Sequence, residues 1–189
     1  LDLIDPAAES AVEKEYIETV FEINNKRKIE PVADWRELGL PVKPPDVVRY
    51  FVRVKEEKLK RFADSNDNRN IAREIEDEFV FQNSAALNRR FYGRGEIGRA
   101  FVLSHGRDLM IFKIVGYAED VVRYYGLEDL RARLWIAHQR YPTKGRLWHP
   151  GGAHPFIGMN EALVHNGDFA NYASISEYLS QRNIYPLFL

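Results

Sequence analysis

Hydrophobic positions in the first third of the chain recur first at helical and then at strand spacing. Between residues 8 and 25 apolar side chains fall on one helical face, acidic residues come early and a Lys-Arg-Lys run follows, so we predict an amphipathic helix from Ala8 to Asn25. Four prolines then interrupt the pattern, which predicts a connector over residues 30–46. The β-branched and aromatic run over residues 47–54 predicts a strand.

The middle of the chain returns to helical spacing after a polar segment. Residues 64–70 are rich in Asp, Asn and Ser and predict a loop, and residues 71–91 predict a helix. Two apolar runs, 100–103 and 109–115, flank a segment that contains Gly106, which predicts a β-hairpin turned at residues 105–107. A helix should follow over residues 118–125, ended by Gly126.

The last third mixes short apolar runs with a long irregular stretch. We predict strands over residues 134–138 and 162–164, separated by a segment rich in Gly, Pro and His from 139 to 163. A Ser174 to Glu177 capping box predicts a helix over residues 174–181. Helices and strands do not alternate strictly, which favours an α+β fold in a single domain over residues 1–189.

Composition excludes several classes of protein. The chain is 45% hydrophobic and 29% charged, as a globular domain with a core would be. Its net charge of -1 offers no basic field for nucleic acid or an anionic membrane, and no apolar run spans a bilayer. We therefore expect no nucleic-acid partner, no membrane segment and a cytoplasmic location. The chain begins without Met and ends on an apolar run, which favours a fragment.

Three short patterns look functional but favour plainer interpretations. Gly93 to Gly98 matches the dinucleotide pattern G-x-G-x-x-G, but a helix precedes it and a strand follows, the reverse of the required order. Asp64, Asn66 and Asn68 begin like a calcium loop without its later ligands, which indicates a turn. His149, His154 and His165 have no known zinc-ligand spacing in a chain without cysteine, so we expect no metal site.

The densest chemistry lies between residues 137 and 171. Arg140 follows a predicted strand and offers a planar fork for a carboxylate, with the Thr143 hydroxyl close by. Asn166 places a side-chain amide beside Gly167, so two N–H donors can converge on a developing oxyanion. Asn-Gly is also a common hairpin turn, and both interpretations remain open from these residues alone.

The ordered words HQRYPT, HPGGAHPF and HNGDFAN together resemble class II glutamine amidotransferases, which are N-terminal-nucleophile hydrolases, and their form is most similar to the glutamate-synthase branch. The resemblance is specific over residues 134–182 and fainter upstream over 75–116. It implies an αββα four-layer sandwich, here incomplete at both ends. Residues 71–189 would form the amidotransferase core, and residues 1–70 a less defined helical and connector segment.

The resemblance also implies residue roles. Arg140, assisted by Thr143, would bind the α-carboxylate of glutamine, and His154 would shape the pocket wall. Asn166 and Gly167 would form the oxyanion hole. The domain would release ammonia from glutamine for a synthase partner, expected to be glutamate synthase. It would need no cofactor of its own, and any flavin or iron–sulfur centre would belong to partner domains.

The chain departs from the family pattern at the nucleophile. The family uses an N-terminal Cys whose own amine acts as base, whereas this sequence contains no cysteine. An ammonium-binding Thr-Asp-Thr-Glu-like word does not follow HNG, and Lys144 stands where many relatives carry Asn. We therefore predict a fragment that is inactive as it stands. The alternatives are a degenerate glutamine-binding or regulatory module, and another amidotransferase branch with a different ammonia acceptor.

Overall fold

A computed structural model describes residues 1–65, 72–92, 98–139, 153–167 and 170–182. Its larger sheet is antiparallel with strand order β2-β3-β1-β4. The strands are β1 (Asp2–Leu3), β2 (Phe21–Ile29), β3 (Asp46–Val54) and β4 (Ala100–Phe101). A second, two-stranded antiparallel sheet pairs β5 (Phe156–Ile157) with β6 (Ala162–Leu163).

The helices are short except for one. A helical run consists of a 3-10 helix, Pro6–Ala8, then α1, Glu9–Val12, then a π-helix, Glu13–Ile17. The remaining helices of the described residues are α2 (Glu56–Ser65), α3 (Ala72–Phe91), α4 (Ala118–Tyr125) and α5 (Tyr172–Ser180). The mixture of helices with antiparallel sheets is an α+β arrangement, as the sequence predicts.

One face of the larger sheet packs against the helical run and α3. Its buried core includes Leu3, Val12, Val48, Leu87 and Phe91. Alternation along β3 sends Val48 into this core and Val47 to the opposite face.

The opposite face of the sheet is covered by the segment between β2 and β3 and by the chain after β4. One cluster there joins Val47 to Leu40, Tyr124 and Tyr125, and another contains Phe101, Leu103 and Ile111. The second cluster also packs against Ile157 of β5. The small sheet therefore packs through Ile157 against the cluster that covers this face of the larger sheet.

Several predicted elements are confirmed. The structure places β3 at Asp46–Val54, α3 at Ala72–Phe91 and β6 at Ala162–Leu163, close to the predicted ranges. Helix α4 has the predicted bounds, and Gly126 ends it with φ 60°. The segment between β2 and β3 contains only turns and irregular backbone, as its prolines indicate.

The predicted helix from Ala8 to Asn25 is wrong beyond Ile17. Residues 21–29 instead form β2, which pairs with β3 along its length and has a register shift between Ile23 and Asn25. The nine residues of β2 are stabilised by backbone hydrogen bonds to β3. This pairing outweighs a weak local helical pattern, because tertiary packing overrides intrinsic propensity. Helix α2 was not predicted.

Two predicted strands and one cap are also wrong. Within the described chain, residues 109–115 and 134–138 form no strand, and β4 pairs with β1 rather than with residues 109–115. Leu134 and Trp135 are exposed, so the apolar residues of the predicted strand over 134–138 do not mark a buried segment. Helix α5 begins at Tyr172 and its N-cap, Asn171, makes no side-chain capping bond, so the predicted box at Ser174 is wrong.

Candidate functional site

Three histidines from three separate sequence words converge on one place. The ring centroids of His138 and His154 lie 5.0 Å apart, and those of His154 and His165 lie 6.2 Å apart. His154 is buried, with its ring 4.6 Å from that of Phe156. The words HQRYPT, HPGGAHPF and HNGDFAN each contribute one of these rings.

The first word is anchored to helix α4. The Gln139 side-chain oxygen accepts a hydrogen bond from the Ala118 N–H at 3.2 Å. An N-terminal helical N–H has no partner inside its own helix, so Gln139 satisfies a donor that would otherwise need water. This contact fixes the position of the adjacent His138.

The second word is anchored by Lys113, a lysine that precedes helix α4. Lys113 is 5% exposed, and its ammonium donates to the Ala153 carbonyl oxygen at 2.5 Å. The same ammonium lies 5.0 Å from the Phe156 ring centroid, within cation–π range. The buried ammonium therefore contacts a residue before His154, Ala153, and a residue after it, Phe156.

The third word follows the small sheet. Phe156 pairs with Leu163 across β5 and β6, which places His165 directly after the hairpin. A Cβ on Gly167 would lie 3.0 Å from the His165 ring, so the backbone of Gly167 packs closely on that ring. Asn166 lies between them and is exposed.

The hairpin itself is held from outside. The Asn160 amide donates to Asp77 of α3 at 3.1 Å, and Asp77 also pairs with Arg107 at 2.9 Å. Gly106 lies so close to the Met159 carbonyl that a Cβ would be 1.9 Å from its oxygen. The bend at residues 106–108 thus packs against the β5–β6 hairpin that leads to His165, whereas the hairpin predicted around residues 105–107 does not form.

Burial and charge shape the protonation of these groups. Burial, followed by the neighbouring His138, His165 and Lys113, lowers the pKa of His154. Burial lowers the pKa of Lys113 to about 8, opposed by the charge of Asp2. Burial likewise raises the pKa of Asp2 to about 7, opposed by the Leu1 amine and Lys113.

The cluster is not arranged as a metal site. The described residues contain no group of three or more His, Asp or Glu side chains placed to hold an ion. His149, one of the three histidines considered for zinc from the sequence, lies outside those residues. Within the described chain the Nδ1 atoms of His138 and His154 are buried and have no hydrogen-bond partner.

The predicted site residues divide into two groups. His154, Asn166 and Gly167 lie in the described part, and His154 is within the histidine cluster. Arg140 and Thr143, like Lys144, lie outside the described residues. A surface depression lined by Glu22, Lys55 and Lys60 shares no residue with the cluster.

Sequence reasoning assigned no role to Lys113, His138 or Phe156. The signal for Lys113 was present: it is a single charged residue inside the apolar run over residues 109–115. A lysine is almost never fully buried without a partner, so its position in that run indicated a specific contact. His138 and Phe156 belong to the conspicuous words, but only the fold shows that they lie near one another.

None of the described helices is long and apolar enough to cross a membrane. No family model matches the chain, and no solved structure matches it.

The chain is similar over part of its length to several curated proteins. It is 35% identical over 111 residues to an uncharacterized protein of Archaeoglobus fulgidus, covering 58% of this chain and 28% of that one. It is 37% identical over 94 residues to a glutamine–fructose-6-phosphate aminotransferase of Aeropyrum pernix, covering 49% of this chain and 15% of the relative.

A relative with a different name also matches part of the chain. An amidophosphoribosyltransferase of Methanocaldococcus jannaschii is 29% identical over 93 residues, covering 47% of this chain and 20% of the relative. The matched region thus spans well under a third of each of these relatives. The similarity is thus to a glutamine–fructose-6-phosphate aminotransferase and to an amidophosphoribosyltransferase, at low identity.

Proposed function

We propose that this chain is part of the glutamine-hydrolysing domain of a class II glutamine amidotransferase. The observation that carries the proposal is the convergence of His138, His154 and His165, because it brings the three conspicuous words to one site. The named relatives support it, since both kinds are glutamine-dependent transferases. An αββα sandwich with residues 71–189 as its core is part of the proposal.

In this proposal Arg140 and Thr143 hold the α-carboxylate of glutamine and His154 lines the pocket. The family's cysteine thiolate attacks the side-chain carboxamide, and Asn166 and Gly167 donate to the resulting oxyanion. Collapse of the tetrahedral intermediate breaks the C–N bond and releases ammonia. Water then hydrolyses the thioester to glutamate. This chain supplies binding and oxyanion groups but no thiol.

The acceptor we propose is that of glutamate synthase. Support comes from the form of the three words, whereas the named relatives act with fructose 6-phosphate or are amidophosphoribosyltransferases. The amidotransferase part uses no cofactor in this scheme, and flavin or iron–sulfur centres belong to partner domains. Supplying the full-length protein and glutamine with isotope-labelled 2-oxoglutarate and an electron donor, with fructose 6-phosphate, or with phosphoribosyl pyrophosphate distinguishes the three acceptors. Labelled glutamate, an amino sugar phosphate or phosphoribosylamine would be the respective product.

The first test is binding, which needs no nucleophile. Calorimetry of this chain with L-glutamine should show saturable binding at one site, and D-glutamine should bind far more weakly. Asn166→Ala should leave L-glutamine binding nearly unchanged, because an oxyanion donor acts on the transition state more than on the ground state. An absence of L-glutamine binding by the folded chain would contradict the proposal.

The second test is turnover in a protein that also carries the family's N-terminal cysteine. Asn166→Ala should lower kcat by about 10²- to 10³-fold and change KM little. Asn166→Asp should be at least as damaging, because a carboxylate offers no N–H and repels the developing charge. Near-parental kcat in Asn166→Asp would leave Asn166 and Gly167 as a turn.

A second candidate function is a glutamine-binding or regulatory module without catalysis. The absence of cysteine from the sequence favours it. Both candidates bind glutamine, but only the enzyme releases ammonia once the cysteine is supplied. The chain as given should release no ammonia from glutamine above background, because no thiol is present to attack.

A further inference from the structure

Lys113 occupies an unusual place for a lysine. It lies in the middle of an apolar run, is 5% exposed, and donates a hydrogen bond to a main-chain carbonyl, that of Ala153. Burying an ammonium is costly unless charge and hydrogen bonds compensate for the lost water. A position that bears this cost for structure alone is usually apolar, so the charge itself calls for an explanation.

The hydrogen bond and the cation–π contact of Lys113 both lie on the segment around His154. The Ala153 carbonyl that accepts its proton immediately precedes His154, and the Phe156 ring under the ammonium comes two residues after it. The ring of Phe156 in turn lies 4.6 Å from the ring of His154. Moving the ammonium would therefore release the backbone on one side of His154 and the ring packing on the other.

The charge of Lys113 is matched from the larger sheet. Asp2 of β1 is 3% exposed and interacts electrostatically with Lys113, as the opposing charge that each group exerts on the other's pKa indicates. Among the described residues, other charged or titratable groups that bear on this site include the Leu1 amine and Tyr125 near Asp2, and His138 and His165 near His154. Asp2 and Lys113 are thus both buried, and each favours the charged form of the other.

We propose that Lys113 is a positioning residue of this site: its ammonium, bonded to the Ala153 carbonyl and close to the Phe156 ring, fixes the Ala153–Phe156 segment and thereby holds His154 in place. A cation beside an imidazole disfavours the imidazolium form. An uncharged His154 can line a pocket without adding a positive charge near the ammonium group of an amino acid. The role in glutamine binding rests on the proposed function, whereas the effect on His154 does not.

Lys113→Met removes the charge and the hydrogen bond while nearly preserving the length of the side chain. The pH midpoint of the His154 ring, followed by NMR, should rise because the neighbouring cation is gone. The affinity for L-glutamine should fall by roughly tenfold, the ratio expected for a lost charge-assisted hydrogen bond. Lys113→Arg retains a cation and a donor, so it should restore the low His154 midpoint.

The matched control is Lys55→Met. Lys55 also donates from its ammonium to a main-chain carbonyl, that of Glu18 at 2.6 Å, but is not part of the histidine cluster. Its replacement should change neither the His154 midpoint nor glutamine affinity. A parental His154 midpoint in folded Lys113→Met overturns the proposal. If the parent protein binds no glutamine, the proposed function fails while the His154 midpoint still decides the role of Lys113.

Asp2→Asn tests the same idea without altering the lysine, and serves if Lys113→Met does not fold. Loss of the carboxylate should move the deprotonation of Lys113, observed at its Cε resonance, to lower pH. The His154 ring resonances should show an inflection at that same pH and move with it. A His154 inflection that stays in place while the Lys113 midpoint moves overturns the proposal.

Discussion

Gly106 allows a sharp test of how the hairpin leading to His165 is held. Its φ is 122°, a conformation that L side chains rarely adopt, and a Cβ there would lie 1.9 Å from the Met159 carbonyl oxygen. Gly39 provides a matched control, because its φ of 69° is also positive but a Cβ there would meet nothing within 4 Å. Alanine at either position adds one methyl group, but only at Gly106 does it strike backbone.

The expected cost follows from these two geometries. Gly39→Ala should destabilise the fold by about 1–2 kcal/mol, the penalty for a left-handed conformation. Gly106→Ala should carry a conformational penalty at least as large as that of Gly39→Ala, and the Met159 backbone must also move to admit the methyl group. The two effects together should cost about 2–6 kcal/mol. For a chain of this size each kcal/mol lowers Tm by roughly 2–4 °C.

Urea unfolding followed by circular dichroism gives both free energies of unfolding. NMR signals of His165 should shift in Gly106→Ala but not in Gly39→Ala, because only the former displaces the β5–β6 turn. Equal losses of stability in the two variants would refute the argument. They would mean that Gly106 is required for its conformation alone and that the contact with Met159 does not hold the hairpin.

Three further predictions concern the core, pH and the substrate. Asn88 is 1% exposed and bonds both the N–H and the carbonyl of Val102. In urea titrations Asn88→Leu should therefore lower the free energy of unfolding by about 2–5 kcal/mol, because two buried backbone groups lose their partner. Asn83→Ala, which removes the bond to the Tyr16 carbonyl, should cost about 1 kcal/mol. Burial lowers the pKa of His105 to about 4. The stability that depends on its neutral form is therefore complete above about pH 6.5 and is lost as pH falls through about 4. His105→Leu should flatten that part of a profile of unfolding free energy against pH. Arg140→Lys should weaken L-glutamine binding measured by calorimetry far more than Thr143→Ala, because an ammonium cannot reproduce a bidentate fork; equal affinities would remove the carboxylate role.

The elements that the sequence predicted well are those whose local signals agree with their surroundings. Helix α4 has an amphipathic pattern and Gly126 at its end, and both are read from neighbouring residues. Strand β3 is β-branched and aromatic, and its residues are buried alternately on two faces. In these cases local propensity and tertiary packing favour the same structure.

The failures occur where a distant partner decides the structure. The predicted helix runs to Asn25, but residues 21–29 form a strand because β3 offers a ladder along their full length. The apolar run over 109–115 was assigned to a hairpin, whereas β4 pairs with β1 from the start of the chain. No window of neighbouring residues contains that information.

The sequence by itself determined the α+β class, the words that resemble glutamine amidotransferases, and the candidate groups at His154, Asn166 and Gly167, because these depend on residue type and order. Only the tertiary structure placed His138, His154 and His165 together and buried Lys113 against Ala153. The distance between residues far apart in the chain is set by how sheets and helices pack. A lysine in an apolar run therefore indicates that a buried contact exists, but only the fold identifies its partner.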